Sequence, residues 1–328
     1  MNTPSLEAVN LSKSYLLKKG TAGTGANGIL RAVDNVSISV MGGETLGIAG
    51  ESGCGKSTLA KMMAGLLKQN SGTVRYMGSD ILQLPHDQKG EFRRSVQMIF
   101  QDPFSSLNPR MRIGDAIAEP LQIHKLCSRD RIQSEVIKLM EQTGLSEELY
   151  NRFPHEFSGG QRQRIVIARA LAPAPSILVA DEPVSSLDIS IQAQIINLLL
   201  ELRQAHGLTM IIISHDMGVL RQICHRIAVM YLGRIVETAT TESLFEKCMH
   251  PYTEALLTAT PGIKKRGISR KPLIFGDTTT GGTAPSGCSF HPRCPHARDL
   301  CRTEAPELLQ YAEGHFAACH FSRELYGN

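Results

Sequence analysis

The apolar positions along this chain change period several times, and each change marks an element. Val36, Ile38 and Val40 alternate with polar neighbours, the period of a strand with one buried face. Gly42-Gly43 marks a turn, and Thr45 to Ala49 reads as the next strand. The run TLAKMMAGLL from Thr58 has helical spacing. Further strands are expected around Val74 and from Gln97 to Phe100. Between Arg129 and Thr143, residues Ile132, Val136, Leu139 and Met140 form one helical stripe, and GGQRQRIVIARALA after Ser158 reads as a long helix. Ile177 to Ala180 and Thr209 to Ile213 are short and wholly apolar. Between them Ile189 to Gln204 reads as a helix with Ile191, Ile195, Leu198, Leu199 and Leu202 inward. Strands apolar on both faces and separated by helices predict a largely parallel core sheet. Ala228 to Tyr231 and Gly233 to Val236 read as a terminal hairpin, followed by helices near Ser243 to Cys248 and Pro251 to Thr258. GDTTTGGTAPSG, ending at Gly287, has no apolar period and reads as a linker.

Composition narrows the class without naming it. The 328 residues are 42% hydrophobic and 20% charged, which fits a globular protein and excludes fibrous and mostly disordered classes. The net charge is +4, and three units of it lie in the tail from Pro261, where nine basic residues face six acidic ones. The short run Lys264-Lys265-Arg266 with Arg270-Lys271 reads as a solvated linker rather than a contact for anionic lipid or nucleic acid, and aromatics are only 5% with no basic–aromatic stripe, so no nucleic-acid partner is expected. No apolar run is long enough to span a bilayer, and the start MNTPSLEAVNLSKSY lacks the apolar core of a signal peptide. A cytoplasmic protein is expected.

The chemistry begins at Gly50-Glu51-Ser52-Gly53-Cys54-Gly55-Lys56-Ser57-Thr58. This is the GxxxxGK[ST] pattern, with a strand before it and a helix after it. Its glycines let backbone N–H groups turn toward phosphate oxygens, and the helix dipole adds to the attraction. Lys56 is expected to reach the β and γ phosphates, and Ser57 to offer its hydroxyl to Mg²⁺. Cys54 reads as a small filler. A second half-site follows the apolar strand at Ile177. Asp181 stands at its end, where it can hold Mg²⁺ through water, and Glu182 can orient or deprotonate the attacking water. These features imply an ATPase or GTPase.

Phe157-Ser158-Gly159-Gly160-Gln161-Arg162-Gln163-Arg164 resembles the signature of ATP-binding cassette proteins. The resemblance implies that Ser158, Gly159, Gly160 and Gln161 form a second anion cradle, closing over ATP held by a partner subunit. It implies that Tyr15 stacks on adenine and that Gln101 senses Mg²⁺ and water. It further implies that Asp188, in Ser186-Leu187-Asp188, crosses the dimer interface, and that His215 contacts the γ-phosphate. The segments Gln101 to Arg110 and His250 to Leu257 resemble the ATPases of bacterial dipeptide and oligopeptide importers, nearest to the second ATPase of the dipeptide system. That likeness implies a peripheral subunit on the cytoplasmic face of the inner membrane. Its implied partners are a related ATPase, two permeases and, indirectly, an external solute-binding protein. Importers of nickel, glutathione and haem precursors share these motifs. A soluble cassette enzyme without a permease is the rival reading, and a redox-regulatory protein a more distant one.

Eight cysteines include four in the last 41 residues: Cys288, Cys294, Cys301 and Cys319. In a reducing compartment such crowding reads as a metal or cluster site rather than a disulfide framework. Four thiolates suit tetrahedral zinc or an iron–sulfur cluster, with free thiols the remaining alternative; the spacing lacks the paired knuckles of zinc ribbons. The importer resemblance favours [4Fe-4S] over zinc, in a structural role. The expected fold is thus an α/β P-loop cassette. It carries an antiparallel β subdomain around Leu6 to Ser39, a helical subdomain from about Asp115 to Phe157, and a small cysteine-rich C-terminal extension. The expected division is 1–260 for the nucleotide-binding domain and 261–328 for the extension.

Overall fold

The computed structural model describes residues 3–16, 28–260 and 285–327. They form two compact units. Among the described residues, the first holds those up to Ser5, Val40–Glu44 and Tyr76–Ile213; the second holds those within Leu6–Ser39, Thr45–Arg75 and from Ser214 onward.

The first unit is built on parallel strands. Val96–Ile99 pairs with Ile177–Asp181 in the register Val96↔Ile177 to Ile99↔Ala180. Ile177–Asp181 pairs on its other side with Thr209–Ser214, from Ile177↔Thr209 to Asp181↔Ile213. Every residue of the Ile177–Asp181 and Thr209–Ser214 strands is buried. That explains why their sequences show no alternation: helices cover both faces of a parallel sheet. Gly159–Leu171 and Ile189–His206 are the long helices of this unit, and both stand where the apolar spacing puts them. Gly207 ends the second in the left-handed conformation, the usual glycine stop. Ile113–Ile123 and Ile132–Gln142 pack on each other and on Gly159–Leu171, forming the expected helical subdomain. The helix His86–Ser95 has no counterpart in the sequence reading, because HDQKGEFRRS buries only Phe92 and Ser95 and has no apolar stripe.

In the second unit the strand Thr45–Ala49 runs parallel to Arg226–Tyr231, from Leu46↔Arg226 to Ala49↔Val229. Arg226–Tyr231 turns through Leu232 and Gly233, both at positive φ, into the antiparallel Arg234–Thr240. Leu6–Leu16 lies between Ile29–Val40 and Ser71–Tyr76 in a separate sheet, the β subdomain expected near the N-terminus.

The hairpin is not terminal, however. His315–Ala317 adds antiparallel to Arg234–Thr240, with Glu237↔Ala317 and Thr238↔Phe316, and Leu309–Ala312 lies outside it. The described part of the tail therefore continues this sheet instead of standing apart as an extension. Its strands are three and four residues long, too short for an alternating pattern to be read from sequence. The segment from Pro261 to Ala284, with its basic run and most of the expected linker, lies outside the described residues. Among the described residues no helix is long and apolar enough to cross a membrane.

Candidate nucleotide site and cysteine pocket

In the second unit the phosphate loop starts where the buried strand Thr45–Ala49 ends. Gly50, Gly53 and Gly55 have φ of 152°, 79° and 109°, values that L side chains rarely adopt. Space is as restrictive as torsion. A Cβ on Gly50 would collide with the Met230 carbonyl oxygen, and one on Gly55 with the Ala32 carbonyl oxygen. The Gly233 amide donates to the Cys54 carbonyl at 2.9 Å and pins the loop to the hairpin turn. Lys56 is 4% exposed, and its ammonium donates to the carbonyls of Gly50 at 2.7 Å and Glu51 at 2.8 Å. Ser57 and Thr58 follow in the first turn of the helix Lys56–Met63, which has no side-chain cap. Burial pushes the Cys54 thiol up, opposed by the Lys56 charge, so the thiol stays protonated.

Two more expected residues sit in this unit. Tyr15 lies near the end of the Leu6–Leu16 strand, 40% exposed, with the Lys13 ammonium 5.7 Å from its ring centre. His215 is exposed immediately after the Thr209–Ser214 strand. Next to it Asp216 accepts from the amides of Gly218 and Val219 and caps the helix Met217–Ile223, which fixes the corner that carries the histidine.

The first unit holds the other candidates. Asp181 ends the apolar strand and is 3% exposed. Glu182 has φ of 48°, unusual for a residue with a side chain, and its amide donates to the Ile213 carbonyl at 2.9 Å. Its Oε2 accepts from Gln101 Nε2 at 2.8 Å. Two residues 81 positions apart thus meet at the ends of neighbouring parallel strands. Ser158 caps the helix Gly159–Leu171 reciprocally: its hydroxyl accepts from the Gln161 amide at 3.3 Å, and its amide donates to Gln161 Oε1 at 3.0 Å. Gly159 and Gly160 lie tight against Leu187 and Ile191, side chains that flank the helix start after Asp188. Asp188 is the N-cap residue of Ile189–His206.

Some residues of this site escaped the sequence reading. The Arg162 guanidinium stacks 3.7 Å over the exposed Phe104 ring, and Arg169 donates to the Ser106 carbonyl at 3.0 Å and to Glu119 at 2.6 Å. These two arginines tie the loop after Gln101 to the helix that starts at Ser158. Their seven-residue spacing puts them on one helix face and was the signal available.

The four tail cysteines converge. Cys288, Cys294, Cys301 and Cys319 line one small cavity with Phe290, Phe321 and His250. Chiefly through burial, and further through one another's charge, Cys288 is pushed up to about 11 and Cys294 to about 12, and Cys319 is raised as well. Burial lowers His250 to about 3, so its ring is neutral. No disulfide joins the eight cysteines. Among the described residues no three His, Cys, Asp or Glu side chains are arranged to hold a metal ion, so the geometry gives the expected cluster or zinc no direct support.

Two family models match the chain: "ABC transporter" over residues 33–185, and "Oligopeptide/dipeptide transporter, C-terminal region" over residues 236–301. A probable peptide ABC transporter ATP-binding protein of Sinorhizobium fredii is 47% identical over 320 residues, covering 98% of this chain and 90% of the relative. The chain belongs to the ATP-binding subunits of peptide ABC transporters. A di/tripeptide transport ATP-binding protein of Pseudomonas aeruginosa is 44% identical to the subunit, over 98% of this chain and 99% of its own length. Among solved structures, a dimeric ATP-binding cassette in a post-hydrolysis state with ADP and phosphate matches with a TM-score of 0.64 at 28% identity. That match covers 72% of the subunit and 98% of the solved chain. The α/β P-loop cassette with its β and helical subdomains is therefore the fold, and ATP with Mg²⁺ is the ligand of the family.

Proposed function

We propose that the subunit hydrolyses ATP to drive inward transport of dipeptides and oligopeptides, as one of two related ATPases docked on two permeases. The observation that carries the hydrolysis is the Gln101–Glu182 hydrogen bond at the end of a wholly buried strand. It fixes the Glu182 carboxylate beyond the strand end, where Glu182 also takes a positive φ, and this supports Glu182 as the residue that orients or deprotonates the attacking water. The phosphate loop from Gly50 to Thr58 holds the phosphates by its amides, and Lys56 exchanges its carbonyl partners for phosphate oxygens. Ser57, Gln101 and Asp181 are the residues that would hold Mg²⁺, which when bound offsets phosphate charge. Tyr15 stacks on adenine and His215 contacts the γ-phosphate. Ser158 to Gln161, with Asp188, close over the nucleotide of the paired ATPase. Gln101 and the helical subdomain face the permeases, so that closing the dimer moves them.

The cargo reading rests on the names of the relatives, which concern peptide transport over nearly the full length of this chain. Localisation follows from it: peripheral, on the cytoplasmic face of the inner membrane, with an external binding protein supplying solute. We keep 1–260 as the nucleotide-binding part and 261–328 as the cysteine-bearing part. For the thiols we propose a structural [4Fe-4S] cluster held by Cys288, Cys294, Cys301 and Cys319, with zinc the alternative. Their shared cavity and all-thiol donor set support this reading. When bound, the group would cross-link the tail.

The test is purification from gently solubilised native membranes. Recovery with two permeases and one related ATPase is expected, with hydrolysis stimulated by peptide-loaded binding protein. Recovery with soluble partners only, or stimulation by a nickel, glutathione or haem-precursor binding protein instead, would overturn the peptide reading. Iron and sulfide in an anaerobic sample are expected; stoichiometric zinc without iron would end the cluster proposal.

A further inference from the structure

The phosphate loop is gripped by residues that belong to neither its motif nor its helix. Glu51 is held at three points, two of them by such residues. Its amide donates to the Tyr252 hydroxyl at 2.8 Å, and its carbonyl accepts from Lys56 at 2.8 Å. Its carboxylate receives both arms of one guanidinium: Arg293 Nη1 donates to Oε2 at 2.8 Å and Nη2 to Oε1 at 3.0 Å. The side chains of this pair are 10% and 25% exposed. Partial burial and two parallel bonds make it a fixed contact, unlike the weak ion pairs of open surface.

His291 and Cys294, close to Arg293 on either side in the chain, line the thiol cavity. The arginine ends the short 3₁₀ turn His291–Arg293, and its amide donates to the Phe290 carbonyl at 3.0 Å. Phe290 is 1% exposed and packs its ring 5.4 Å from that of Tyr252 and 5.2 Å from that of Tyr231. Phe290 also lines the cavity together with Cys288 and Cys294. The segment from Cys288 to Cys294 therefore gives two thiols to the cavity and reaches the phosphate loop with one side chain. A second path, through Phe290 and Tyr252, ends on the same residue, Glu51.

We propose that Arg293 is a positioning residue of the phosphate loop, through which the packing of the cysteine cavity sets the affinity of the ATP site. The inference rests on Gly50 to Thr58 being that site. Holding Glu51 holds the first turn of the loop, and with it the carbonyls that orient Lys56. Without Arg293 the Glu51 carboxylate would be left partly buried and unpaired, and it would swing toward water. The loop would then have to be ordered at the moment of binding, which weakens affinity. Glu182 and Gln101 are not on this loop, so the effect falls on ATP affinity and KM, with kcat little changed.

The experiment measures binding of the fluorescent nucleotide mant-ATP with Mg²⁺ to the full chain, and KM and kcat for ATP in the assembled transporter. Arg293→Ala and Glu51→Gln are each expected to weaken binding about tenfold. Arg293→Lys should weaken it about threefold, since an ammonium cannot hold both oxygens in a planar fork. The double variant Arg293→Ala/Glu51→Gln should bind no worse than the weaker single one. Cys294→Ser is expected to weaken binding in the same direction. Arg298→Gln, which breaks an exposed tail pair with Glu324, should stay within twofold of the parent. An unchanged affinity in Arg293→Ala would overturn the inference, as would additive losses in the double variant or a fall in kcat at constant KM. Should Arg293→Ala not fold, unchanged affinity in both Arg293→Lys and Glu51→Gln would overturn it equally. A parent chain that binds no nucleotide would sink the ATP-site reading itself, a result distinct from parent-like binding by the variants.

Discussion

The turns at Gly50 to Thr58 and at Ser158 to Gln161 both place glycines before a helix, yet they are built in opposite ways. The first depends on three glycines at positive φ, two of them hard against carbonyl oxygens, and its helix carries no side-chain cap. The second has both glycines at ordinary torsions, and Ser158 and Gln161 cap the helix reciprocally. In the first, glycine is demanded by the backbone; in the second, only at Gly160, where a Cβ would stand 2.6 Å from the Ile191 side chain. The first turn therefore relies on its ligand and on outside supports such as Arg293, whereas the second completes its own hydrogen bonding. A loop that grips phosphate needs amides aimed inward. A turn with the role proposed for Ser158 to Gln161, closing on another subunit's nucleotide, needs a shape that exists beforehand.

The largest expected effect belongs to neither turn. Glu182→Gln should lower turnover about a hundredfold or more while ATP binding stays within about threefold, read by steady-state hydrolysis beside nucleotide binding. Near-parent hydrolysis in that variant would remove Glu182 from the chemistry. The sharpest contrast between the turns is Gly55→Ala against Gly159→Ala. The former should cost about 3 kcal/mol of stability and abolish nucleotide binding, because both torsion and the Ala32 carbonyl forbid the methyl. The latter meets only the end of the Leu187 side chain at 3.2 Å and should leave thermal stability and cis binding nearly intact. Similar losses in both would break the comparison. Adding MgATP at about a hundred times its Kd should stabilise the chain by about 2.7 kcal/mol, seen as a rise in Tm that Ser158→Ala keeps and Gly55→Ala loses. The smallest effect is Ser158→Ala in the absence of nucleotide. Loss of the cap should cost about 1 kcal/mol, measured by denaturant unfolding.

How far the site was legible depended on whether its residues are neighbours in sequence. The phosphate loop, Asp181-Glu182 and the Ser158 turn each fit within nine residues, so their spacing alone carries their conformation. The core strand Ile177–Asp181 was readable because burial on both faces leaves an unbroken apolar run from Ile177 to Ala180, and Thr45–Ala49 because the Gly42-Gly43 turn marks its start. The helix His86–Ser95 was not, because it buries almost nothing. The tail strands were too short to show a period, so the apparent terminal hairpin became an inner one only when His315–Ala317 added to its edge.

By itself the sequence determined the α/β class and the phosphate loop, because those follow from local spacing and from torsions that only glycine tolerates, while the family was legible only through the resemblance of its signature and importer segments. It also determined that four thiols crowd the tail. Only the tertiary structure decided that Gln101 bonds Glu182, that Arg162 and Arg169 fasten the loop after Gln101 to the signature helix, and that Arg293 clasps Glu51 across 242 residues. Each is a hydrogen bond or ring contact between residues far apart in the chain. Such partners are set by strand register and packing, and no local pattern encodes which distant group will complete them.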